Sequence, residues 1–136
     1  MKTVKSFIER GSDGKFSVYV DLNDNTLNYG ITGTGDTVKE AKDDFISAYK
    51  AMKALYAKKR IEFTEATFEY NYDTRSFLNY YTAYFSLAGL SRLTGINQGQ
   101  LSHYVNGVRN PSKHTIQKID TAIQAFTRNL SRVHIN

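Results

Sequence analysis

In the first half of the chain, apolar residues recur at every second position, which is the spacing of β-strands with one covered face. This alternation predicts strands over residues 3–9, 16–22, 27–31 and 68–72. The first three strands are expected to pair antiparallel. Residues 33–36, Gly-Thr-Gly-Asp, are expected to break the sheet.

A helix is predicted to begin at Thr37 and to reach residue 57. Thr37 and Glu40 have the spacing of a capping box, in which each side chain accepts a hydrogen bond from the other residue's backbone amide. Apolar residues then form one helical stripe: Val38, Ala41, Phe45, Ala48, Tyr49, Met52 and Leu55. The first part of the chain is therefore predicted to be a β-β-β-α-β unit with this helix packed across the sheet.

In the second half, apolar residues recur at intervals of three and four, which is typical of packed helices. Four helices are predicted: an aromatic one over residues 74–85, a short one over 87–94, one after Asn97 and one after Ser112. The last carries Ile116, Ile119, Ile123, Phe126 and Leu130. The fold class is thus α+β, with an α+β domain over residues 1–72 and an all-α domain over residues 73–136.

Residues 97–107 have the pattern of a small helix docked on an apolar partner. Asn97 is a good N-cap, and Gly107 is a typical residue to end a helix. Leu101, Tyr104 and Val105 share one face, whereas Gly99, Ser102, His103 and Asn106 share the other. Outward amide, hydroxyl and imidazole groups suit base edges and phosphates, so this helix is interpreted as the second of a helix-turn-helix. A solvated pair of helices in an ordinary all-α protein is the alternative.

The charge is distributed unevenly. Residues 1–73 carry 11 Lys and Arg against 12 Asp and Glu, a net charge of −1, whereas residues 74–136 carry 7 against 1, a net charge of +6. The second half is therefore the part that would attract a polyanion. Because this charge is modest, specific binding is expected to need two copies of the basic half.

The composition, with 40% hydrophobic residues and no cysteine, fits a cytoplasmic protein that buries a core. No apolar run approaches the ~20 residues that span a membrane, so no membrane partner is expected.

For double-stranded DNA, the helix after Asn97 is predicted to enter the major groove. Gln98, Gly99 and His103 are the predicted base contacts, with Gly99 permitting close approach. The predicted phosphate contacts are Arg92, Gln100, Ser102, Asn106, Arg109 and Lys113.

An enzymatic function is not expected. A metal-dependent nuclease needs converging carboxylates, whereas the candidate aspartates lie at predicted turns or on a predicted exposed helix face: Asp21, Asp24, Asp36, Asp43 and Asp44. His103, His114 and His134 lack the spacing of metal ligands, and the Gly33–Gly35 loop lacks the lysine of a nucleotide-binding loop. No metal and no cofactor are therefore predicted.

Two segments resemble a known family. Tyr29-Gly-Ile-Thr-Gly-Thr-Gly-Asp-Thr-Val-Lys-Glu-Ala-Lys42 is similar to the strand-turn-helix of HicB-type antitoxins. Residues 87–107, with Arg109-Asn-Pro-Ser112 after them, resemble the Xre/Cro-type helix-turn-helix of one branch of that family. Asp21-Leu-Asn-Asp-Asn-Thr-Leu27 departs from the family's frequent Pro-Asp-Leu-x-Gly-Cys turn. The resemblance covers residues 3–130 and implies a partial ribonuclease-H-like N-terminal domain.

The resemblance also implies partners. The N-terminal domain would bind and neutralise a small HicA-type toxin that cleaves mRNA, and the C-terminal domain would repress the operon by binding operator DNA. Similar proteins form homodimers or homotetramers. A free-standing helix-turn-helix regulator with a ligand- or protein-sensing N-terminal domain is the alternative, and a degenerate ribonuclease-H-like hydrolase is a third hypothesis.

Overall fold

A four-stranded sheet covered by one long helix dominates the first part of the computed structural model, which describes residues 1–136. The elements follow the order β1 Lys2–Arg10, β2 Phe16–Val20, β3 Thr32–Gly35, α1 Val38–Lys59, β4 Ala66–Tyr72, α2 Thr74–Tyr81, α3 Leu87–Thr94, α4 Gln98–Val105 and α5 Lys113–Leu130. The chain divides into two compact units, Met1–Tyr80 and Tyr81–Asn136. The fold is therefore α+β, with a sheet in the first unit and helices in the second.

The strand order in the sheet is β3-β2-β1-β4. β2 pairs antiparallel with both β1 and β3, whereas β4 pairs parallel with β1. This confirms the predicted β-β-β-α-β order and the fourth strand. The buried residues of α1 form one core with those of the sheet: Ile8, Phe16, Val18, Ile31, Val38, Ala41 and Phe45.

The predicted third strand at residues 27–31 is wrong, because the strand is formed by Thr32–Gly35 and so includes three of the four residues, 33–36, that were expected to break the sheet. β2 also ends at Val20, before Leu22, whose side chain is 90% exposed. A Cβ on Gly33 would lie 2.4 Å from the Ala41 carbonyl oxygen. Glycine is needed at position 33 because α1 lies directly against the backbone of β3. Gly33 therefore permits the close contact between helix and sheet.

Aspartate turns shape the segment between β2 and β3. Asp21 accepts a hydrogen bond from the Asn23 amide at 3.0 Å, and Asp24 accepts one from the Thr26 amide at 2.8 Å. These side chains bond to the backbone two residues ahead, which favours a turn over a strand.

Two residues attach the β2–β3 connection to the segment before β4. Asn28 Nδ2 donates to the Glu62 carbonyl at 2.8 Å, and Asn28 Oδ1 accepts from the Thr64 amide at 3.3 Å. Tyr29 stacks on Phe63 with ring centroids 4.4 Å apart. Burial is the main reason that the pKa of Tyr29 is raised to about 12. Side chains here replace the hydrogen bonds of a regular strand pair.

The predicted start of α1 is confirmed, since Thr37 Oγ1 accepts from the Glu40 amide at 3.1 Å. The predicted return bond differs, because the Glu40 carboxylate accepts from the Asp36 amide and not from the Thr37 amide. The helix runs to Lys59, two residues beyond the predicted end. Leu55, assigned to the buried stripe, is 42% exposed. The stripe therefore loses its cover towards the end of the helix.

The aromatic helix is shorter than predicted, because α2 ends at Tyr81 and residues 82–85 form a turn. Asp73 caps the helix by accepting from the Ser76 amide at 2.7 Å. The Ser76 hydroxyl is fully buried and has no hydrogen-bond partner. The first unit includes α2 as far as Tyr80, whereas the sequence suggested a domain boundary at residue 72.

A half-buried lysine is surrounded by aromatic rings in the first unit. Lys42 Nζ lies 4.5 Å from the ring centroid of Tyr70 and 4.6 Å from that of Tyr80, and it donates to the Tyr72 hydroxyl at 3.1 Å. Burial lowers the pKa of Lys42. The aromatic faces stabilise the ammonium group where water is partly excluded.

Candidate nucleic-acid interface

The turn between α3 and α4 is built around a buried threonine. The Thr94 hydroxyl donates to the Leu90 carbonyl at 2.7 Å and accepts from the Ile96 amide at 3.2 Å. Between them, Gly95 adopts a φ of 76°, a left-handed conformation that glycine reaches without strain. The hydroxyl and the glycine together fix the direction in which α4 leaves α3.

Side-chain caps define where the helices begin. Ser86 Oγ accepts from the Gly89 amide at 3.0 Å, Asn97 Oδ1 accepts from the Gln100 amide at 2.7 Å, and Ser112 Oγ accepts from the Thr115 amide at 3.2 Å. The predicted caps at Asn97 and Ser112 are confirmed. After α4, Gly107 has a φ of 71° and ends the helix as predicted.

α4 presents two chemically different faces. Leu101 and Tyr104 are 1% and 4% exposed, so the predicted inward face is confirmed for these two, and Val105 is half-buried. They belong to the core of the helical unit, whose buried residues are Leu90, Thr94, Ile96, Leu101, Tyr104 and Ile119. A buried anchor of this kind holds the outer face of α4 in a fixed orientation.

The predicted base contacts lie on the surface. Gln98, Gly99 and His103 are all exposed. The structure records no hydrogen bond for the side chains of Gln98 and His103. Both can therefore bind a ligand without first breaking an intramolecular hydrogen bond.

Gly99 lies on the exposed side of α4 with open space around it. A Cβ added here would meet only Asn97 Oδ1, at 3.6 Å, which is an ordinary contact. Its φ is not positive either, so neither packing nor backbone conformation requires glycine. Because glycine weakens a helix relative to alanine, the absence of a side chain here is unexplained by the fold.

Two predicted phosphate contacts are joined to each other. Asn106 Nδ2 donates to the Ser102 hydroxyl at 3.4 Å, which is long for a hydrogen bond. Asn106 is exposed and Ser102 is half-buried. A weak bond of this length is readily exchanged for a contact with a ligand.

Gln100 has a partner that the sequence reasoning missed. Its Nε2 donates to the Tyr104 hydroxyl at 2.7 Å, and Gln100 is half-buried. The spacing of four residues on a helix was the available signal, because such pairs are neighbours on its surface. The amide is therefore not a freely moving surface group.

The predicted cationic phosphate contacts surround α4 in sequence. Arg92 lies in the last turn of α3, Arg109 lies in the loop after α4, and Lys113 is the first residue of α5; all three are exposed. Every ion pair in the structure lies in the first unit. Residues 81–136 carry six Lys and Arg against one Asp, a net charge of +5, so the cations of this unit are available to an anionic ligand.

Comparison with known proteins agrees with this geometry. A helix-turn-helix family model matches residues 83–124, which include all of α3 and α4 and most of α5. No curated protein and no solved structure gave a match. The chain thus contains an Xre-type helix-turn-helix domain, which is a DNA-binding domain of transcriptional regulators. None of its helices combines the length and the apolar character that crossing a membrane requires.

Proposed function

We propose that the chain is the antitoxin of a toxin–antitoxin pair: the helical unit represses its own operon, and the sheet unit binds and neutralises a HicA-type mRNA-cleaving toxin. The observation that carries this proposal is the combination of a helix-turn-helix domain with a separate β-β-β-α-β unit in one chain. The similarity of residues 29–42 to HicB-type antitoxins supports the toxin-binding half.

In the DNA complex, α4 lies in the major groove of the operator. Gln98 and His103 contact base edges, because their exposed side chains offer donors and acceptors with no competing partner. Gly99 lets the helix backbone approach a base closely. Arg92, Arg109 and Lys113 hold the phosphates, supported by the polar residues Ser102 and Asn106.

The base contacts and the phosphate contacts are distinguishable by experiment. His103→Ala should relax the sequence preference at one base pair, since a base contact is worth ~1–3 kcal/mol of discrimination. Arg109→Ala should weaken binding to every duplex and lower the salt dependence. His134→Ala, outside the matched domain, is the control for His103. Binding of these variants to DNA upstream of the gene is measured by gel shift. Unchanged binding of both His103→Ala and Arg109→Ala would refute the docking.

The toxin-binding half is tested by co-expression with the neighbouring gene. Growth should stop when the neighbouring gene is expressed alone and recover when the full chain is added. The His103→Ala variant should still restore growth, because that residue serves DNA binding. If the neighbour is not toxic, or if growth does not recover, the antitoxin proposal is wrong. The chain is then a regulator whose sheet unit senses a ligand or another protein.

A homodimer or homotetramer is part of the proposal. The net charge of +5 on one helical unit is modest for binding a polyanion, and two copies would double it. The proposed dimer interface uses the aromatic segment 77–85 and the last helix, α5, on which Ile116 and Leu130 are 45% and 53% exposed. Light scattering should give at least twice the chain mass of 15.5 kDa, and a monomer at operator-binding concentrations would contradict the dimer interface.

The protein is proposed to act by binding and not by catalysis. Asp21 and Asp24 are engaged in backbone turns, and no group of three potential metal-ligating side chains is present. Incubation of the purified chain with RNA and Mg²⁺ should leave the RNA intact. Cleavage that is lost on changing Asp21 or Asp36 would instead favour a hydrolase.

A further inference from the structure

One polar side chain of α4 is tied to the core of the helical unit. Gln100 Nε2 donates to the Tyr104 hydroxyl at 2.7 Å, and Tyr104 is only 4% exposed. A buried tyrosine hydroxyl needs a hydrogen-bond partner, and Gln100 is the partner that the structure gives it. Because the tyrosine ring is held by its burial, it is a fixed point for the amide of Gln100.

Gln98 and Gln100 carry the same side-chain amide, but the two side chains differ in how freely they can move. Gln98 is exposed and has no recorded side-chain hydrogen bond, so it must lose its rotamer freedom when it contacts a ligand. Gln100 has already lost much of that freedom through its bond to Tyr104. A preorganised contact binds more tightly and discriminates better than a flexible one, because less entropy is lost on binding.

The chemistry left on Gln100 fits a base. With one Nε2–H bonded to Tyr104, the amide still has an acceptor, Oε1, and a second N–H donor. An acceptor beside a donor is the pattern that pairs with adenine N6 and N7 in the major groove. A phosphate offers acceptors only and would leave Oε1 without a partner.

We infer that Gln100 is a base-reading residue and that the buried Tyr104 is its positioning residue. Gln100 is three residues from His103, so the two side chains are neighbours on the helix surface. In the DNA complex they contact the edges of adjacent bases. This replaces the phosphate role that the sequence suggested for Gln100. The inference rests on the proposed DNA-binding function.

The test is a double-mutant cycle on the full chain with Gln100→Ala, Tyr104→Phe and the double variant. Each protein is titrated by fluorescence anisotropy against the preferred duplex and against its single-base-pair substitutions. Gln100→Ala should abolish discrimination at one base pair, a loss of roughly 5- to 150-fold. Tyr104→Phe should reduce the same discrimination about 2- to 10-fold, and it should have no further effect in the Gln100→Ala background.

Gln98 supplies the matched control, since it has the same side chain as Gln100 but no hydrogen bond to Tyr104. The effects of Gln98→Ala and Tyr104→Phe should therefore add. If Tyr104→Phe lowers the melting temperature, Gln100→Asn tests the same contact from the other side. The Gln100→Asn variant keeps an amide at position 100 and leaves Tyr104 unchanged. Its side chain is one methylene too short to reach the Tyr104 hydroxyl, so this variant should lose discrimination as Gln100→Ala does.

Three results would overturn the inference: equal weakening on all duplexes by Gln100→Ala, additive effects of Gln100→Ala and Tyr104→Phe, or unchanged discrimination by Gln100→Asn. The first would identify a phosphate contact, and the other two would remove the positioning role. A wild-type protein that binds all duplexes equally would refute the proposed operator recognition itself.

Discussion

Replacing Gly99 by alanine should change stability and DNA binding in opposite directions. The added methyl group projects into open space and meets only Asn97 Oδ1, at 3.6 Å. Nothing in the folded chain therefore resists it. In the proposed complex, the same space is occupied by the edge of a base.

The two effects can be estimated separately. Alanine is favoured over glycine in a helix by about 0.5–1 kcal/mol, and Gly99 lies in the first turn of α4, where the lower end applies. For a domain of this size, such a gain raises the melting temperature by roughly 2–4 °C. A methyl group forced into a closely packed interface costs about 1–3 kcal/mol, which corresponds to an affinity loss of roughly 5- to 150-fold.

The assay pairs thermal unfolding with anisotropy titrations on the preferred duplex. Gly30→Ala is the matched control, because a Cβ there would meet nothing within 4 Å and the residue lies outside the helix-turn-helix domain. Gly30→Ala should leave DNA affinity unchanged. Only Gly99→Ala should combine a higher melting temperature with weaker binding.

Two outcomes would refute the reasoning. A Gly99→Ala variant that is more stable and binds DNA as tightly as the wild type would mean that this face of α4 does not approach the duplex. A variant that is less stable would mean that the space around Gly99 is not open.

Three further predictions concern the first unit. Gly33→Ala should lower the free energy of unfolding by about 3 kcal/mol or more, because the new Cβ would lie 2.4 Å from the Ala41 carbonyl oxygen; an unchanged urea midpoint would contradict the close contact of β3 and α1. Ser76→Ala should raise the free energy of unfolding by about 1 kcal/mol, since it removes a buried hydroxyl without a partner, and a loss of stability would mean that the hydroxyl is bonded in solution. Tyr29→Phe should flatten the alkaline loss of stability: the raised pKa of Tyr29 means that its contribution is complete below its ordinary value of 10.0 and is lost as the pH rises through about 12. Unfolding measured from pH 9 to 12 should show this difference, and parallel pH profiles would rule it out.

Local signals accounted for most of the correct predictions. The caps at Thr37, Asn97 and Ser112 each involve a side chain and an amide three residues later, so the sequence contains both partners within one turn. The α4 face was predictable because burial of Leu101 and Tyr104 follows helical periodicity. The third strand was not predictable in this way. From sequence alone, the glycines of β3 indicate a break in the sheet. Only the contact with Ala41 of α1 shows why a strand contains them.

The site shows the same division between local and tertiary information. A helical wheel gives the direction of each Cα–Cβ bond, and it sorted the α4 residues into inner and outer faces. It does not show that a long side chain such as Gln100 bends back to a buried hydroxyl on Tyr104. The empty space around Gly99 also needed three-dimensional packing, because a glycine in sequence does not reveal what surrounds it.

The contact between β3 and α1 fixes the position of the helix over one edge of the sheet. The backbones of β3 and α1 are in direct contact there, and the space at Gly33 is too small for one methyl group. The helix therefore cannot slide or tilt over that edge of the sheet. A ligand cannot wedge these layers apart without disrupting the core around Phe45. If the sheet unit binds a toxin as proposed, the toxin would therefore meet a surface that is already formed at this edge.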